Sequence, residues 1–186
     1  MEGREMLQIK VDARDLWDEQ REVFIPIKEQ TIQLEHSLVS LSKWESKWCK
    51  PFLHSGDNIT REEELDYIKC MTITQNVDPM VYKCLTNENI RQIKEYIDAP
   101  MTATYFSKQE KGKNNRELIT SELIYYWMVS LNIPFECQKW HIKRLITLIR
   151  VCEIKNTPPK KHSKREIMSR NAALNAARRK QFNSKG

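Results

Sequence analysis

The sequence predicts an α+β fold: a small N-terminal β-hairpin or sheet on a mainly α-helical body, followed by a basic C-terminal helix. Three observations predict it. Residues 7–12 alternate apolar and polar, apolar residues recur every three or four positions from Ser37 onward, and the charge changes sharply after residue 155. The expected organisation is a globular domain over 1–155, with the β element in 1–35 and the helical body in 37–155, and a basic linker and helix over 156–186.

The β element begins with LQIKVD, which places Leu7, Ile9 and Val11 on one face and Gln8, Lys10 and Asp12 on the other. The stretch DLWDEQRE reads as a polar connection. In VFIPIKEQTIQL, Val23, Ile25 and Ile27 share one parity while Ile32 and Leu34 share the opposite one, so a bulge or break is expected between Pro26 and Thr31. Pro26 lacks an N–H for a ladder and argues for an edge position.

In the body, Leu38, Leu41, Trp44 and Trp48 mark a helix that Pro51 stops. Thr60 and Glu63 have capping-box spacing ahead of Leu65, Ile68 and Met71. Asp78-Pro79 starts a short turn, and Thr86 or Asn87 caps a helix carrying Ile90, Ile93 and Ile97. Residues 107–115, SKQEKGKNN, read as an exposed loop. Two long helices, 116–131 and 134–155, are then expected to form an antiparallel hairpin around Asn132-Ile133, with Pro134 at the first helical position. Ser163 with Glu166 gives a further capping box for a final helix through about Gln181.

The N-terminal residues carry charges at Glu2, Arg4 and Glu5 and lack the apolar core of a signal peptide. The apolar-rich stretch 118–133 is interrupted by Thr120, Ser121, Glu122, Ser130 and Asn132 and falls short of the ~20 residues of a membrane span. A soluble intracellular protein with no membrane partner is expected. The five cysteines are odd in number and form no CxxC pair, and the histidines show no HxxxH spacing, so neither a disulfide framework nor a metal site is predicted. Only four glycines, and no phosphate-loop or dinucleotide fingerprint, leave no cofactor site to name.

The stretch FECQKWHIKRLITLIRVC (135–152) contains the residue types of a catalytic site, with Cys137 and His141 four residues apart. A nucleophile there would need a lowered thiol pKa and a third, orienting group. The wide stripe of Trp140, Leu145, Leu148, Ile149 and Cys152, extended by Phe135, Ile142 and Ile146, instead predicts a central core helix, and no catalytic residue is assigned.

Two groups of candidate partner-binding residues remain. Of the five tryptophans, Trp44 and Trp48 lie on a helix interleaved with Lys43, Glu45, Lys47 and Lys50, where an exposed aromatic edge would suit a partner. Beyond residue 155, Lys160, Lys161, Lys164, Arg165, Arg170, Arg178, Arg179, Lys180 and Lys185 face Glu166 alone, a net +8 that leaves −2 of the chain's +6 on the rest. This end suits a partner-binding helix, a nucleic-acid arm or a solubilising tail.

The segments LEHSLVSLSKWESKWCKPF (34–52), NIPFECQKWHIKRLITLIRVCEIKN (132–156) and PPKKHSKREIMSRNAALNAARRKQF (158–182), with YIKCMT and APMTATYFS, resemble the tail assembly chaperone family of long-tailed bacteriophages and prophages. The resemblance touches most of the chain from Leu34 onward. It implies a non-enzymatic assembly factor in the bacterial host cytoplasm that binds the tape measure protein, keeps it soluble and delivers tail tube protein to it. Self-association is compatible with that role. Two other expectations stay open: a structural virion component at the head–tail joint or tail end, and a nucleic-acid-binding phage protein that uses the basic tail.

Overall fold

The computed structural model describes residues 6–19, 21–106, 118–157 and 163–183. The chain runs through β1 (Leu7–Val11), β2 (Arg14–Asp18), β3 (Val23–Ile27) and β4 (Gln30–Leu34), then α1 (Leu38–Trp48), α2 (Phe52–Ser55), α3 (Arg61–Met71), α4 (Asn87–Asp98), α5 (Ser121–Ser130), α6 (Ile142–Asn156) and α7 (Lys164–Phe182). Short 3-10 segments occupy Gly56–Asn58, Pro79–Cys84 and Phe135–Lys139. The fold is α+β, with small antiparallel sheets at the N-terminus of a mostly helical body.

The four strands form two successive two-stranded sheets. β1 pairs with β4 from Leu7↔Leu34 to Val11↔Gln30, and β2 pairs with β3 from Arg14↔Ile27 to Asp18↔Val23. The parity change in the second run comes from a break at Lys28-Glu29, between β3 and β4. Ile9, Val11, Ile27, Ile32 and Leu34 consequently all reach the core. β2 corrects the expectation of a polar connection. Its five residues include three charged ones, but Leu16 lies opposite Ile25 and Trp17 opposite Phe24, and these cross-strand pairs hold it as a strand.

Capping residues set the helix starts. Ser37 and Ser40 exchange hydrogen bonds at the start of α1, Thr60 and Glu63 at the start of α3, and Thr86 and Asn89 at the start of α4. α1 ends at Cys49, which takes a left-handed φ of 52°, two residues before Pro51. Leu38, Leu41 and Trp44 of α1 meet Tyr67, Ile68 and Met71 of α3 in the core.

Both expected long helices are shorter. Thr120 caps α5, so 118–120 lie outside it, while 107–117, including the expected loop, fall outside the described residues. The helix expected over 134–155 is broken: Phe135–Lys139 is 3-10, Trp140 is extended (φ −69°, ψ 156°), and α6 begins only at Ile142. The cause is non-local. His36 C=O accepts the Ile142 N–H at 2.9 Å and Ser37 forms an antiparallel bridge with His141, so this point of the chain pairs with the end of the β element. The expected helical hairpin is replaced by α5, a turn at Asn132 (φ 52°) and the 3-10 segment, with α5 and the 3-10 segment packed on α1. Phe135 correspondingly lies 55% exposed, whereas Ile142, Leu145 and Ile149 are buried.

The chain divides into two compact units, Met1–Glu153 and Ile154–Gly186. The first holds the core. In the second, α7 is 19 residues long, and each of its described side chains is exposed.

Candidate functional site

Trp44 offers no edge to a partner. It is 0% exposed, its Nε1–H donates to the Glu63 carbonyl at 2.9 Å, and its ring meets Phe52 edge-on at 5.1 Å. Trp48 is half-buried against the core, and its Nε1–H donates to Asp66 Oδ2 at 2.9 Å. The expected aromatic surface is therefore corrected to an α1–α3 seam. Two lysines of the same segment close it: Lys47 reaches Asp66 Oδ1 at 2.5 Å, and Lys50 pairs with Glu63. Burial alone would raise the Asp66 carboxyl, but hydrogen bonds from Lys47 and Trp48 hold it below its ordinary value. Lys50, then the Thr60 N–H, do the same for Glu63. The matched three-residue spacing of Lys47 with Lys50 and of Glu63 with Asp66 was the available signal for this seam.

Cys137 and His141 are both buried, and each has a structural setting. Burial, followed by the neighbouring Glu136 charge, pushes the Cys137 thiol up, the reverse of what an activated nucleophile needs. His141 Nε2 is 3.0 Å from the Tyr96 carbonyl. His36, 1% exposed, contacts Tyr67 Oη through Nδ1 at 2.6 Å, while its N–H donates to Tyr96 Oη at 3.2 Å. Burial is the first cause lowering both imidazole pKa values, bringing His36 to about 3. This polar knot joins the end of β4, α3, α4 and the start of α6. Among the described residues, no group of three His, Cys, Asp or Glu could hold a metal ion, and no helix is long and apolar enough to cross a membrane.

The sequence reading missed two surfaces of the first unit. A groove of about 370 Å³ is lined by Phe52, Ile59, Ile68, Ile90, Ile93 and Ile97, with Lys94 and Glu64 paired at 2.8 Å beside it. At the distal end of the hairpin, the Trp17 and Phe24 rings meet at a 60° tilt, centroids 4.9 Å apart, while remaining 51% and 66% exposed. The Ile90–Ile93–Ile97 stripe was the available signal for the groove; Trp17 had no such cue.

The basic candidates are in the second unit. Lys164, Arg165, Arg170, Arg178, Arg179 and Lys180 are exposed on α7, and no ion pair among the described residues involves them. Lys160 and Lys161 lie outside the described residues. Exposed with these cations are Ile167 (48%), Met168 (64%), Leu174 (48%) and Phe182 (73%). No protein-family model, curated protein or solved structure matches this chain.

Proposed function

We propose that this protein is a non-enzymatic tail assembly chaperone of a tailed bacteriophage, acting in the bacterial host cytoplasm on the tape measure protein and on tail tube protein. The resemblance of segments 34–52, 132–156 and 158–182 suggests the class. The observation that carries the reading is α7, whose 19 residues bury no described side chain. Helices in proteins draw most of their stability from packing of a face rather than from propensity. Such a helix suits a segment that completes its packing on a client. Repeated modest contacts along a long helical client would add by avidity.

Co-expression tests the reading. A tape measure protein from the same phage is expected in the soluble fraction with the full chain and in the pellet with a chain ending at residue 157. A tape measure protein left in the pellet with the full chain would contradict it, whereas equal solubility with both chains would take α7 out of the role and leave the class standing.

The net +8 beyond residue 155 favours a second reading, a nucleic-acid arm. Tight, strongly salt-dependent binding to duplex DNA, lost on removal of 158–186, would support that reading instead.

A further inference from the structure

α7 combines two surface chemistries. At 100° per residue, Ile167, Met168, Leu174 and Phe182 fall within an arc of roughly 120°. Arg170 borders the arc on one side and Arg179 on the other. Lys164, Asn171, Asn175 and Arg178 lie within it and give the face polar groups between its apolar ones. Nothing in a phosphate backbone buries Ile, Met and Leu side chains, whereas a complementary helix does so while leaving the bordering cations free to pair. Residues 164–182 carry six cations and Glu166, a net +5, so a second α7 is repelled and an acidic partner attracted.

We propose that α7 docks on an acidic amphipathic helix of another protein, its Ile167–Leu174 face on an apolar stripe and its Arg170 and Arg179 against carboxylates on either side of that stripe. The inference deepens the chaperone reading and rests on it only for the identity of the client.

Fluorescence anisotropy with the full chain tests it, using three labelled probes at one salt concentration: a helical peptide with a leucine stripe flanked by glutamates, a scrambled peptide of the same composition, and a DNA duplex. The patterned peptide is expected to bind at least about tenfold tighter than the scrambled one. That advantage is expected to vanish in an Ile167→Ser, Leu174→Ser double variant, and binding to weaken about tenfold or more in an Arg170→Glu, Arg179→Glu variant. These side chains are exposed, so both variants should keep the parent's melting behaviour. Equal binding of both peptides would reduce the site to bulk charge and overturn the proposal. So would tighter binding to DNA, indifference to the serine pair, or self-association that the serine pair abolishes. Peptide binding without capture of a tape measure protein would sink the chaperone reading alone; capture by a chain lacking 158–186 would sink the docking helix alone.

Discussion

His36 and His141 meet edge to face, their ring centroids 4.9 Å apart, with 1% and 0% of their surfaces exposed. Tyr67 and Tyr96 face the pair, and Lys143 adds positive charge beside it. A protonated imidazole there would be unsolvated and close to like charge.

Stability is therefore expected to fall as the medium is acidified. Burial lowers both histidines' folded pKa values below the ordinary 6.5, to about 3 for His36. Below pH 6.5 the unfolded chain binds protons that the folded chain excludes, so stability declines from there down to the folded value. Each histidine contributes a slope of up to about 1.4 kcal/mol per pH unit within that window. Urea unfolding at pH 7.5 and 5.5 checks this above the carboxylate range. An unchanged midpoint would contradict it.

Trp44→Ala is expected to cost about 3–5 kcal/mol of folding stability, because it empties a large, fully enclosed site. Denaturant titration measures the loss. A variant of native stability with impaired client binding would instead return Trp44 to the surface role that its burial argues against.

Glu45 joins three helical segments. Its carboxylate accepts the Phe52 N–H at 2.9 Å and the Ser121 N–H at 2.7 Å, fastening the starts of α2 and α5 to α1. Glu45→Ala leaves both donors without this acceptor, for an expected loss of about 1–3 kcal/mol per donor that stays dry. Amide hydrogen exchange at Phe52 and Ser121 should accelerate before exchange in the core of α3. Unchanged protection at both amides would remove Glu45 from this role.

The distal aromatic pair is expected to behave differently. Phe24→Ala forfeits an exposed ring contact worth about 0.5–1.5 kcal/mol and leaves the core intact. A thermal melt showing a loss comparable to that of Trp44→Ala would contradict the placement of the Trp17–Phe24 pair outside the core.

What could be read from the sequence was local. β1, the capping pair Thr60–Glu63, the cap at Thr86 and the stop after Trp48 each depend on residues a few positions apart. What could not be read depends on distant partners. β2 exists because β3 lies opposite it, and the helical period through 134–155 fails because His36 captures the Ile142 N–H. Trp44 and Trp48 looked available because their neighbours are lysines, yet Lys47, Lys50 and the two indole N–H groups turn to α3. The α7 cations are exposed where charge alone placed them, but the apolar arc beside them emerges only once helix and exposure are known together.

The most direct test of the chaperone account is an affinity capture of the tagged full chain from phage-infected or prophage-induced lysate, with and without nuclease, alongside mass spectrometry of purified virions. The account predicts nuclease-resistant recovery of tape measure or tail tube protein and absence of this chain from the virions. Recovery of nucleic acid alone, lost with nuclease, or the chain's presence as a stoichiometric virion component, would contradict it.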